Sequence, residues 1–213
     1  MQHIRGINGP ILGKYRVAAV SGLMTGLAAN NLVFSARFAP TGNVRAAIAG
    51  LRLKSQLITP GSAAFEFTFA AYLARSFTAS DSGGTAVLPS GLNNLLASID
   101  DSSHATNFTD MRIASTGALT SGTRTVDANP ILVLPAAQLS TSPPSQSYNE
   151  SALEPSSDQR YVANLQGQTG GTATNAEGII VANQAAFGTS AVVRLIVELE
   201  WYEYVTNSAE TNG

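Results

Sequence analysis

The sequence predicts an all-β protein, an antiparallel β-sandwich of jelly-roll-like type with little helix. Three observations predict it. Apolar residues recur with a period of two, turn signals separate the short apolar runs, and no segment carries a clean helical face. With 213 residues and 22.1 kDa the chain can build one good core, read here as a single domain over 1–213.

The first 20 or so residues carry Arg5, Lys14 and Arg16 among glycines and alternate weakly. They read equally as an N-terminal arm (1–20) that reaches a neighbour or as a loosely packed first strand. In Leu32–Phe38, the residues Leu32, Phe34, Ala36 and Phe38 share one face. In 50–57, Leu51 and Leu53 alternate with Arg52 and Lys54, and in 65–69 three phenylalanines oppose Glu66 and Thr68. The clearest run is 191–204. There Val193, Leu195, Val197, Leu199 and Trp201 face one way, while Arg194, Glu198, Glu200 and Tyr202 face the other. Such alternation marks a half-buried antiparallel strand, and a one-residue slip would put Trp201 in water.

Turns are predicted at Asn30-Asn31, 40–43, 59–61, Asp81-Ser82-Gly83-Gly84 and Pro89-Ser90-Gly91. Residues 92–99 could form two helical turns capped by Ser90. The Pro- and Ser-rich stretch 140–160 reads as an ordered excursion or a flexible loop, the Gly/Thr-rich stretch 166–176 as a second loop, and 205–213 as a frayed, flexible tail.

Composition narrows the function. Charged residues are 12% of the chain, about half the usual share of roughly 25%. The formal charge of −2 argues against nucleic-acid binding by phosphate neutralisation. No stretch reaches the length of a membrane-spanning helix, and Met1–Gly6 lacks the apolar core of a secretory signal, so synthesis and folding in the cytoplasm are expected. The absence of cysteine removes disulfides and thiolate chemistry.

The search for chemistry yields little. The two histidines are His3, at the terminus, and His104, in the polar run Asp100–His104. Neither suggests a triad or a zinc site, and no cofactor or metal is expected. Glu198 and Glu200 lie roughly 7 Å apart along one strand face, a spacing compatible with a glycosidase pair. Arg194 on the same face is their expected ion-pair partner, which makes them structural. The chain is therefore read as not an enzyme. Ten of the twelve basic residues are Arg. Interfaces enrich Arg and deplete Lys, so much of the surface is expected to be covered in an assembly.

Three segments then carry a resemblance. They are 74–86 (ARSFTASDSGGTA), 110–127 (DMRIASTGALTSGTRTVD) and the closing strand 194–204 (RLIVELEWYEY). In order and spacing they resemble virion structural proteins of tailed bacteriophages; the stretch 140–160 departs from that pattern. The resemblance implies a non-enzymatic virion protein, assembled in the host cytoplasm. In its sharpest form this is a capsid decoration or cement protein, expected as a homotrimer bound across seams of the major capsid protein. Arg37, Arg45, Arg75, Arg112 and Arg124 are the interface candidates. The alternatives are a tail, collar or baseplate component, or a carbohydrate-binding host-recognition module. The latter would need Trp201, Tyr202 and Tyr204 as an aromatic platform.

Overall fold

The computed structural model describes residues 9–40, 42–87, 95–98, 105–139, 148–156, 162–166 and 176–206. These contain strands and turns and no helix. The strands are β1 (Ile11–Val20), β2 (Met24–Thr25), β3 (Leu32–Phe38), β4 (Val44–Thr59), β5 (Phe65–Glu66), β6 (Phe69–Arg75), β7 (Thr85–Ala86) and β8 (Leu95–Ser98). They continue with β9 (Phe108–Ile113), β10 (Thr125–Val126), β11 (Leu132–Leu134), β12 (Ala137–Gln138), β13 (Tyr148–Leu153), β14 (Ala163–Gln166), β15 (Glu177–Asn183) and β16 (Val192–Val205).

Two antiparallel sheets pack face to face. The front sheet has the order β13-β4-β16-β1-β8, with β14 beside β4 and β2 beside β16. The back sheet has the order β10-β6-β15-β3-β9-β7, with β11 beside β6. The expected all-β sandwich is therefore present. Its core is one continuous cluster drawn from both sheets. Along β16, Val193, Leu195, Val197, Leu199 and Trp201 are all buried, as the alternation requires. Trp201 stacks on Tyr15 at 5.4 Å and meets Phe108 edge-on at 4.9 Å, and Phe108 touches Phe38 at 5.2 Å. This aromatic chain ties β1 and β16 of the front sheet to β9 and β3 of the back sheet.

A bulge in β4 positions the outer face. Glu200 pairs with Gly50 and Trp201 with Ile48, leaving Ala49 as the extra residue. The insertion shifts the parity of β4, so Ile48 and Leu51, three apart, both point inward.

The structure decides between some expectations and corrects others. Of the two readings of the first 20 residues, 11–20 follow the strand: they form β1, which pairs with both β16 and β8 and buries Tyr15, Val17 and Ala19. The predicted helix at 92–99 gives way at 95–98 to β8, because β1 offers it an edge with matching register. Within 140–160 the ordered alternative holds at 148–153, which pair with β4 as β13. At the far end, Val205 belongs to β16, and Thr206 is buried with its N–H bonded to the Asn43 carbonyl, so the tail cannot begin before 207. Residues 1–8, the turn at Pro89-Ser90-Gly91, Asp100–His104, 167–175 and 207–213 lie outside the described residues.

Candidate functional site

The two sheets present different outer faces. On the front sheet, cross-strand register sets charged side chains beside one another. Arg16 of β1 stands opposite Glu200 of β16, and Glu198 opposite Arg52 of β4. Lys54 donates to Glu198 at 2.7 Å and Lys14 contacts Glu200 at 2.8 Å. Arg52 donates to Glu154 at 2.6 Å and lies 3.4 Å from Glu150. The Glu200 hydrogen bond holds the Lys14 ammonium above its ordinary pKa, and the Glu198 hydrogen bond does the same for Lys54.

Arg194 is not the partner of these acids. It stands opposite Gln56, and its Nε is buried without a hydrogen bond among the described residues. The reason is geometric. Residues four apart on a strand are about 13 Å from each other, whereas direct cross-strand neighbours are about 5 Å apart. Lysines and arginines on β1 and β4 therefore reach Glu198 and Glu200 first. Both acids are engaged in ion pairs.

A polar cleft of about 490 Å³ opens on this face, lined by Arg16, Gly50, Arg52, Glu154, Glu198 and Glu200 among others. Gly50 forms the depression. A Cβ there would meet nothing nearer than the Glu200 Cβ at 4.0 Å.

The back sheet is covered. Leu32, Ala74, Phe77, Leu119, Ala176 and Ile180 form a second apolar cluster on its outer side. The cover comes from 76–84 and 117–124, joined by the bridge between Ser82 and Thr120. Asp81 is the hub. It accepts hydrogen bonds from the Ser35 hydroxyl, the Gly122 N–H at 2.6 Å and the Arg124 guanidinium, which also lies 5.1 Å over the Phe77 ring. The turn signal at 81–84 is confirmed by positive φ at Gly83 and Gly84.

Four of the five candidate arginines converge on or beside this cover. Arg37 donates to the Phe77 carbonyl at 2.8 Å. Arg75 pairs with Glu177 at 2.5 Å and Asp127 at 3.2 Å, and the Glu177 hydrogen bond raises its pKa. Arg112 bonds Asp110 at 3.1 Å and the Gly83 carbonyl at 3.1 Å. The Arg124 side chain is only 7% exposed and pairs with Asp81 inside the cover. Arg45 lies apart, half-buried at the start of β4 opposite Tyr204 and Gln166.

One residue escaped the sequence reading. Glu203 continues the inward series two positions after Trp201 and is fully buried. It accepts from the Trp201 indole at 3.1 Å, the Thr106 hydroxyl at 2.6 Å, and the Asn107 N–H and side-chain amide. Extending the alternation by one step would have found this carboxylate on the core face.

Of the aromatic platform, Trp201 lies in the core, Tyr204 is buried with its hydroxyl accepting from Asn164 at 2.7 Å, and Tyr202 sits under the Lys14 ammonium at 5.2 Å. Among the described residues no three acids or histidines are grouped so as to hold a metal, and no helix is long and apolar enough to cross a membrane.

No protein-family model, no curated protein and no solved structure gives a significant match to this chain. Its geometry and its sequence thus carry the functional reading.

Proposed function

We propose that this chain is a non-enzymatic structural protein of a tailed-bacteriophage virion, acting as a capsid decoration or cement protein. The observation that carries the reading is the use made of the three resembling segments. Residues 74–86 and 110–127 are built together into and around the cover of the back sheet, locked by Asp81, and 194–204 runs through the centre of the front sheet. The similarity therefore falls on parts that build the sandwich, as expected for a protein whose task is to present surface. Apart from Arg194, the charges of those segments are engaged in internal ion pairs and hydrogen bonds.

In this role the sandwich binds the assembled shell and not its free subunits. That shifts the equilibrium toward assembly by RT ln(1 + [L]/Kd), about 2.7 kcal/mol at a hundredfold excess over Kd. Arg37, Arg45, Arg75 and Arg112 retain some exposure and remain the contact candidates.

The test is antibody-gold electron microscopy of purified particles. Label spread over the head is expected. Label confined to the tail or one vertex moves the role to a tail, collar or baseplate component, and absence of the protein from purified particles overturns the virion reading.

A further inference from the structure

On the outer face of the front sheet, two adjacent rows have a charge pattern that is complementary to itself. Its rows follow from the register. In one row Arg16 (β1), Glu200 (β16) and Gly50 (β4) stand side by side, and Glu154, the residue after Leu153 of β13, is level with Gly50. In the next row stand Ala18, Glu198, Arg52 and Ala152, in the same strand order. We propose that this face binds a second copy of the chain, about a two-fold axis parallel to the strands and running between β4 and β16.

That rotation exchanges β1 with β13 and β16 with β4. It sets Arg16 over Glu154 of the second copy, and Glu198 over Arg52. Glu200 falls over Gly50, where the cleft leaves room for a side chain. Ala18 falls over Ala152, so the approach is unobstructed there. Each position in the two rows meets either an opposite charge or a small residue, and no like charges coincide. The outermost groups are also the freest. The Arg16 side chain is 56% exposed and its contact with Glu198 is 3.6 Å, while the Glu154 side chain is 64% exposed. A third partner cannot join the same contact, because an isologous two-fold interface closes on itself. The proposal concerns self-association alone and stands whether or not the protein belongs to a virion.

Four strands about 4.8 Å apart and four residues about 3.4 Å apart cover roughly 260 Å² per copy, about a third of a standard interface. A weak, salt-sensitive dimer is therefore expected.

The test is sedimentation equilibrium of the full chain at low salt and at about 0.5 M salt. A monomer–dimer equilibrium that weakens with salt is expected. Glu154→Arg and Arg16→Glu should each raise Kd at least about tenfold, and the two together should restore it, because the swap recreates the pair. Gly50→Gln fills the cleft from a position where an added Cβ meets nothing nearer than 4.0 Å, and should weaken the dimer as well. Unchanged circular dichroism keeps a loss of association distinct from misfolding. A monomer at all concentrations up to about 0.5 mM overturns the proposal. An oligomer indifferent to both single reversals and to Gly50→Gln does so too. Failure here leaves the head-labelling result untouched, and the reverse also holds.

Discussion

The outer faces of the two sheets solve the same problem differently. The front face leaves its charges half in water and neutralises them across strands: Lys54 and Arg52 with Glu198, Lys14 with Glu200. The back face puts Ile180, Ala74 and Tyr72 outward, and these need a cover. That cover buries an ion pair, Asp81 with Arg124. Exposed pairs of the first kind contribute about 0–1 kcal/mol each. A buried pair must offset its desolvation by saturating its hydrogen bonds, which Ser35 and Gly122 help Asp81 to do. Charges on the two faces therefore carry unequal structural weight: the exposed front pairs contribute little each, while the buried pair holds the cover.

The sharpest way to break this contrast is Asp81→Ala. It strands the Arg124 guanidinium in the cover, and a loss of about 3–5 kcal/mol is expected in urea unfolding. A loss below about 1 kcal/mol would mean the cover does not need its hub. Gly84→Ala comes next. Its φ of 58° disfavours a side chain, and a Cβ would run into the Ile113 carbonyl and the Leu119 side chain. A cost of about 1–3 kcal/mol is expected, with the cover opening before the sandwich in hydrogen exchange.

The front face should respond to alkali instead. Lys14 and Lys54 have folded pKa values above the ordinary 10.5, through their hydrogen bonds to Glu200 and Glu198. Their contribution is fully present below pH 10.5 and is lost as pH rises through the folded values. The melting temperature should therefore carry no lysine-linked change up to that pH and decline beyond it. Replacing both lysines with Met should flatten the decline, and an undiminished decline would remove these pairs as its cause. Smallest of all is Glu154→Gln, expected to change the stability of one copy by less than about 0.5 kcal/mol by thermal unfolding. A larger loss would show that the rim charge supports the fold and not only the face.

Legibility followed the length and regularity of the pattern. β16 was readable because its alternation runs from Val193 to Trp201 without a break. β1 was harder, since Gly13, Ala18 and Ala19 dilute the contrast between its faces. β8 and β13 could not be assigned locally. Leu95–Ser98 fits a helix or a strand, and Tyr148–Leu153 alternates too weakly among its polar neighbours; pairing with β1 and β4 decided both. At the candidate sites, the residue types were visible but their partners were not. Asp81 looked like an ordinary turn residue, and nothing near it in sequence indicates that Arg124 and Ser35 enclose it.

By itself, then, the sequence determined the class of fold and the buried side of its longest strand, because a period of two leaves only one face that can enter the core. Only the tertiary structure decided which charges meet. Pairing across strands depends on register, and the extra residue at Ala49 resets that register midway along β4. The same bulge leaves Gly50 beside Glu200 on the outer face, where the cleft opens.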